Sequence, residues 1–354
     1  MFVVTVCSAD YSRRGRRRPR PTLAHGTPRI YMLVRSPKRR RRRPFSTYAT
    51  ASSSCAELQN TEVKELAIVT GGGSGIGRII ASELVRAGFA VLVCGRRPPP
   101  PLQGALGVVA DVSTAEGRHA LVAATEGRPV RVLVQNAGAG EPAKLADLDE
   151  AKLDAAWRVN VAGPLLLVRD LRAQLQAATD ARILHLGTSV AHRPQIGTAC
   201  YGITKCAFHR LYQQLNIELE GLGIHVGSLS PGLVDTEGVR EHVRLAREQG
   251  LPHVAFFDEA LGADPPKVTP AEELAECAME MLLRASPDEF TAKEWHVRAW
   301  RQERQRRALE QSQRCTLERR IRIARHVVAC ATAAAVCGLV CTATLAVRRS
   351  IRRH

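Results

Sequence analysis

The chain predicts an α/β fold, a doubly wound parallel sheet in a single domain over 57–300. Three observations carry this. Short apolar runs alternate with helix-length segments from residue 66 onward. The runs read as continuous apolar stretches, as parallel strands buried on both faces do. A glycine-rich turn, Thr70 to Gly77, separates the first run from the first helical segment. Parallel neighbours need right-handed crossovers, so helices cover both faces of the sheet.

In chain order, Leu66 to Val69 form the first strand, closed by Thr70 and glycines. Ile79 to Ala87 form a helix that Gly88 stops, since glycine adopts the left-handed turn at a helix end without strain. Ala90 to Cys94 are the second strand, and the proline-rich stretch 98–104 leads to a third, Gly107 to Ala110, ending at Asp111. A helix around 115–125 precedes the strand Val130 to Val134 and then Asn136-Ala137-Gly138. One helix over 150–176, a strand over 181–186, a helix over 201–220, a strand over 224–229 and a helix near 271–284 complete the alternation.

Charge is distributed unevenly. The sequence has 51 Lys+Arg against 34 Asp+Glu, a formal net charge of +17. As an average that suggests a nucleic-acid or membrane-surface partner. The excess sits at the ends: residues 1–56 carry a net +13, residues 298–354 a net +11, and residues 57–297 a net −7. The core is therefore mildly acidic and large enough to bury its own interior. Beyond Trp300 no aromatics interleave the C-terminal arginines, which argues against a nucleic-acid partner. The ten cysteines show no C-x-x-C pair and no metal-ligand rhythm, so reduced structural thiols and no metal are expected.

The ends suggest addressing and attachment. Residues 1–56 are Arg- and Ser-rich and nearly free of acid, the composition of a mitochondrial transit peptide. A disordered tail or a nuclear address is the alternative, and Met32 offers a second start. An Arg-rich helical stalk is expected over 301–326. The 21 residues of 327–347 lack any charge, a length that as a helix spans about 30 Å of hydrocarbon. With a basic tail at 348–354, this predicts a C-terminal transmembrane helix and a single-pass membrane location, in mitochondria, the endoplasmic reticulum or another organelle. Seven Ala and three Thr against two Leu make the stretch weakly apolar for that role.

Gly71, Gly75 and Gly77, with Ser74 and Ile76 between them, form the motif T-G-x-x-x-G-x-G between strand and helix. Glycines let the backbone turn sharply and approach a pyrophosphate lying on the helix N-terminus.

Taken with the landmarks that follow it, the chain resembles a classical short-chain dehydrogenase/reductase over residues 64–297. The family's glycine motif matches Gly71, Gly75 and Gly77, its adenine-side acid Asp111 followed by Val112, and its Asn-Ala-Gly run Asn136, Ala137 and Gly138. Its active-site Asn matches Asn160, its Ser falls on Ser189, and its Tyr-x-x-x-Lys pair is Tyr201 and Lys205. Its Pro-Gly turn and later Thr are Pro231, Gly232 and Thr236. The resemblance implies a Rossmann-type fold and a nicotinamide-dependent interconversion of carbonyl and alcohol. It also implies a homo-oligomer paired through the long helices, and a lysine that holds the nicotinamide ribose. The stretch from Pro231 to Trp295 loosely resembles sepiapterin- and benzil-reductase-like carbonyl reductases.

The chemistry stands beside the resemblance. Tyr201 and Lys205 are four apart, on one face of a helix. A phenol titrates near 10 and needs a neighbouring cation to serve as acid and base at neutral pH, and Lys205 is placed to lower it. Ser189 would hold the carbonyl oxygen, and Asn160 would relay protons through water. Thr188, one residue earlier, has an acceptable spacing as well; the Ser-Val-Ala run favours Ser189 and leaves Thr188 a supporting role. His192 and Ile196, in the same loop, are expected near the reacting centre, with His192 a loop residue rather than a catalyst. Where NAD-binding strands end in an acid, this one has Gly95 and then Arg96-Arg97. Arg96 suits a 2′-phosphate, so NADP(H) is the expected cofactor. Residues 237–268, with His253, Phe256 and Phe257, should form a partly helical lid over a small carbonyl or alcohol substrate. Alternatives are a membrane-anchored reductase of a lipid ketone (3-ketosphinganine, a 3-oxoacyl chain or a sterol) and a non-catalytic NADP-binding interaction protein.

Overall fold

Strand β1 (Leu66–Thr70) is buried along its whole length, and its side chains divide by parity. Leu66 and Ile68 enter one apolar cluster while Ala67 and Val69 enter another. That two-residue alternation is what a strand with a helix layer on each face must show. The computed structural model describes residues 64–351.

The remaining strands are β2 (Ala90–Gly95), β3 (Ala105–Val109), β4 (Val130–Gln135), β5 (Ala181–Leu186), β6 (Ile224–Ser230) and β7 (Glu294–His296). They form one parallel sheet in the order β3-β2-β1-β4-β5-β6-β7. From β1 the chain runs outward through β2 and β3, then crosses to β4 on the other side. This reversal opens a crevice above the carboxyl ends of β1 and β4, the place where such sheets bind ligands.

Helices α1 (Gly75–Arg86) and α9 (Ala271–Leu283) cover one face, burying Ile80, Leu84, Leu274 and Met281. The other face is covered by α2 (Ala115–Ala123), α4 (Gly163–Asp170) and α6 (Ala199–Glu218), through Leu121, Leu167, Phe208 and Leu215. The helix expected over 150–176 is interrupted. It is α3 (Glu150–Trp157), a π turn at Arg158–Ala162, α4, and then α5 (Arg172–Gln176). Gly163 sets the junction close against the chain before α2: a Cβ there would stand 2.8 Å from the Val112 carbonyl oxygen. The lid comprises α7 (Glu237–Glu248) and α8 (Val254–Gly262), and α10 (Pro287–Thr291) leads into β7. Three residues of β7 are too few for a periodic signal, which is why the sequence reading lacked it.

The last helix, α11 (Val297–Ile351), starts against the core. Val297 and Trp300 pack on the α1/α9 side, Arg301 meets Glu273 at 3.1 Å, and Arg304 pairs with Glu276. Residues 305–326 are exposed. Glu303 with Arg306 and Arg307, and Glu310 with Arg306, pair at one-turn spacing along them, the pattern that supports a solvated helix. Among the described residues no helix is long and apolar enough to cross a membrane. The transmembrane helix expected over 327–347 is therefore not upheld, nor is the single-pass membrane location built on it. Nearly half of its uncharged run is alanine and threonine, residues that add little to the transfer free energy into hydrocarbon. The leader expected at 1–56, and the mitochondrial address read from it, lie outside the described residues.

Candidate active site

The crevice is built from backbone upward. The Thr70 hydroxyl donates to the Val134 carbonyl at 3.2 Å and accepts the N–H groups of Asn136 and Ala137 at 3.0 and 3.1 Å. Asn136 Nδ2 donates to the carbonyls of Thr70 and Gly71 at 3.0 and 3.1 Å. These bonds tie the ends of β1 and β4 together and leave the glycine turn no slack. Gly71 and Gly75 sit at φ of +64° and +51°, where only glycine is unstrained. A Cβ on Gly77 would lie 2.5 Å from both Asn136 Nδ2 and the Gly71 carbonyl oxygen. The hydroxyl of Ser74, just before α1, makes no capping bond, and the first N–H groups of a helix have no partner within it. Unpaired donors with no side chain in the way fit a dinucleotide pyrophosphate.

Other positions assigned to the cofactor gather round this turn. Thr236 caps α7 by accepting the Val239 N–H at 3.2 Å, and its Cγ2 lies 3.4 Å from where a Gly75 Cβ would be. Pro231 is buried and Gly232 takes φ +77°. Asp111 accepts the Ser113 N–H at 2.9 Å and its hydroxyl at 2.7 Å, while Val112 is buried. Arg96 and Arg97 are exposed at the end of β2, without an ion pair or hydrogen bond among the described residues. Ile76 packs on the core.

The chemistry-bearing side chains converge beside the cradle. Asn160, in the π turn, is 1% exposed. Its Oδ1 accepts the Ala139 N–H at 2.9 Å, and its Nδ2 donates to the Ala139 carbonyl at 2.6 Å and to Thr204 Oγ1 at 2.8 Å. Both amide protons are thus spent on the protein. Asn160 clamps the segment carrying Gly138 and Gly140, and a Cβ on Gly140 would strike Tyr201 at 2.8 Å. An extra residue in a helical turn is common at functional sites because it reorients one side chain; here that side chain is Asn160.

Lys205, 5% exposed, donates from Nζ to the Leu186 carbonyl at 3.0 Å and stands 5.8 Å from the Tyr201 ring centroid. Burial pulls its pKa from 10.5 to about 8. Tyr201 moves the other way from expectation: burial pushes the phenol above its ordinary value, and a hydrogen bond with the Thr188 side chain opposes this. Lys205 has committed a proton to Leu186 rather than to the phenol. Thr188 is partly buried and its hydroxyl accepts the Val190 N–H at 3.4 Å, whereas Ser189, one residue on, is exposed at the start of a 3-10 turn. His192 and Ile196 lie in the same loop, both exposed.

The lid docks on the loops flanking Tyr201. Gln249 Nε2 donates to the Pro142 carbonyl at 2.8 Å, His253 Nδ1 bonds the Ile196 carbonyl at 3.0 Å, and Leu251 fills the space that a Gly197 side chain would need. Phe257 packs within the lid, while Phe256 is 55% exposed.

Sequence reasoning missed two contributors. Thr70 showed only a hydroxyl next to glycines. The Leu186 carbonyl, a backbone group, leaves no signal in side-chain identity.

A model of the short chain dehydrogenase family matches residues 65–245, just over half of the chain. The chain belongs to the short chain dehydrogenase family. It is an oxidoreductase of a family that binds a nicotinamide cofactor and acts on small substrates. An uncharacterized short-chain type dehydrogenase/reductase of Sinorhizobium fredii is 36% identical over 181 residues, covering 49% of this chain and 71% of that protein. Galactitol 2-dehydrogenase (L-tagatose-forming) of Cereibacter sphaeroides is 35% identical over 187 residues, covering 48% and 72%. Among solved structures, actinorhodin polyketide ketoreductase with NADPH is 27% identical, with a TM-score of 0.57 over 68% of this chain and 97% of that one.

Proposed function

We propose that this chain is an NADP(H)-dependent oxidoreductase that interconverts a small ketone or aldehyde and its alcohol. The observation that carries the reading is Tyr201 with the buried Lys205 on the same helix, the ammonium 5.8 Å from the phenol ring centroid, at the carboxyl edge of the sheet. The cofactor would supply or accept the hydride. Gly71, Ser74, Gly75, Ile76 and Gly77 would hold its pyrophosphate, Asp111 and Val112 would lie on the adenine side, and Arg96 would meet a 2′-phosphate. Asn136, Ala137, Gly138, Pro231, Gly232 and Thr236 would line the rest of the cradle.

In reduction Tyr201 gives its proton to the carbonyl oxygen, and in oxidation it takes that proton back. A hydroxyl beside it steadies the same oxygen. Thr188, partly buried and opposing the rise of the Tyr201 pKa, is favoured for that task over the exposed Ser189. Lys205, charged at neutral pH, favours the deprotonated phenol once the site closes over it. Asn160 acts as a positioning residue through Ala139. Arg96 and Arg97, with no acid at the end of β2, support NADP(H) over NAD. A homo-oligomer paired through α4 and α6 follows from family habit alone.

The experiment is a panel of ketones, aldehydes, quinones, pterins and 3-oxoacyl compounds offered to the full-length protein while NADPH oxidation is followed. Wild-type turnover on one class is expected. Tyr201→Phe should lose on the order of 10²–10⁴-fold, and Thr188→Ala on the order of 10²-fold or more, with Ser189→Ala close to wild type. The reverse ranking of the last two would return the carbonyl-binding role to Ser189. Turnover unaffected by Tyr201→Phe would end the acid–base assignment.

A further inference from the structure

Behind the Thr188 loop lies a cluster for which the reaction above has no use. His192 ends the 3-10 turn after Ser189, His209 is on α6 one turn beyond Lys205, and Glu294 opens β7. Glu294 sits in register with Ser228 of β6, whose hydroxyl donates to its Oε1 at 3.1 Å. His192 Nε2 is 2.9 Å from Glu294 Oε2, and His209 Nδ1 is 3.7 Å from Oε1. The ligand atoms of these three residues all lie within 4.8 Å of one another. A third imidazole, His296, brings Nε2 to 3.8 Å from Glu294 Oε2.

Two features need an explanation that packing does not supply. The Glu294 side chain is only 8% exposed and meets no lysine or arginine among the described residues, its neighbours being imidazoles and the Ser228 hydroxyl. His209 Nδ1 is buried without a hydrogen-bond partner. Buried carboxylates are ordinarily paired, and buried ring nitrogens ordinarily bonded. A cation among them satisfies both at once.

The donor set identifies its class. Imidazole nitrogens with one carboxylate suit zinc-like divalent ions, held by nitrogen and oxygen at about 2.0–2.2 Å. Tetrahedral ligands at that radius stand about 3.3 Å apart; the two imidazoles lie 2.9 and 3.7 Å from the two different oxygens of Glu294, so a small inward shift of the three side chains would close them on one ion. The Ser228 hydroxyl then orients the carboxylate from behind, as outer-shell partners of metal ligands do.

We propose that His192, His209 and Glu294, with His296 in reach as a fourth ligand, form a binding site for one divalent transition-metal ion of the zinc class. The ion ties the loop that follows Thr188 to α6 and to β7, adding to the edge-to-face contact of His192 on His209 at 4.4 Å. Its role is to hold that loop; it takes no part in the transfer of hydride or proton.

The test uses the full-length protein, stripped with a chelator and titrated with Zn²⁺ by calorimetry and with Co²⁺ by absorption. One equivalent should bind, and Co²⁺ should give the intense visible bands of tetrahedral coordination without a thiolate charge-transfer band. His192→Ala, at an exposed position, and His209→Ala should each weaken binding at least tenfold. His242→Ala, which disturbs the separate His242–His253 pair at 3.1 Å, should leave it unchanged. Thermal unfolding of each metal-free variant checks that it is folded. Absence of stoichiometric uptake by the wild type, uptake indifferent to the His192 and His209 variants, or a thiolate band would overturn the proposal. Binding is read without turnover, so the result is independent of the proposed reaction.

Discussion

Asn160 grips the Ala139 peptide at both ends, accepting its N–H at 2.9 Å and donating to its carbonyl at 2.6 Å. Thr204 takes the other amide proton but keeps its own bonds to the Cys200 and Tyr201 carbonyls, so Asn160→Ala strands the N–H and the carbonyl of the partly buried Ala139. Unsatisfied buried groups cost about 1–3 kcal/mol each, partly relieved by relaxation. A loss of about 2–4 kcal/mol is expected in the urea unfolding midpoint, together with reduced turnover. A variant as stable as wild type would show that Ala139 finds other partners.

Lys205 should leave a signature in the pH dependence of stability. Its pKa is about 8 in the fold and near 10.4 in an unfolded chain. Between these values the unfolded state binds more protons, so stability rises with pH across that window. Below about pH 8 the burial cost is fully present. The stability of wild type relative to Lys205→Met should therefore increase from pH 8 toward pH 10, by at most about 1.4 kcal/mol per unit. A flat difference between the two unfolding curves would mean that the ammonium is better solvated than its burial implies.

Arg96 is exposed and uncommitted, which leaves its guanidinium free for a phosphate. A charge-assisted bond is worth about 1.5–3 kcal/mol. Arg96→Ala should accordingly raise the KM for NADPH by about 10–100-fold and leave that for NADH little changed. Equal effects on both cofactors would remove Arg96 from the 2′-phosphate.

Gly77 and Gly88 make a matched pair of substitutions. A Cβ at Gly77 has Asn136 Nδ2 and the Gly71 carbonyl oxygen at 2.5 Å, whereas one at Gly88, at φ +94°, meets nothing within 4 Å. Gly77→Ala should cost about 1–3 kcal/mol through overpacking and abolish cofactor binding measured by fluorescence. Gly88→Ala should cost only the strain of its backbone, about 1–2 kcal/mol, and bind normally. Intact binding in Gly77→Ala would show that the turn can open.

The strands were legible to within a residue or two wherever they are buried on both faces: β5 was read over 181–186 and is Ala181–Leu186. Continuous apolar runs bounded by turn residues have few other interpretations. The helix read over 150–176 was legible as helical but not as broken, because a π turn changes hydrogen-bond register without changing the apolar period. The uncharged stretch 327–347 misled for a related reason: absence of charge is not strong hydrophobicity, and no described helix meets the demand of a membrane span.

Residue order alone established the α/β class, the glycine turn, and Tyr201 with Lys205 on one helical face, since each depends on contacts within a few residues. Folding decided how deeply Lys205 is buried, where its proton is spent, and that His192, His209 and Glu294 meet. Those outcomes depend on how distant segments sit across the sheet, to a precision of about one hydrogen bond. Thr188 and Ser189 are neighbours in sequence, yet one is partly buried and the other exposed, a difference that only the packed loop decides.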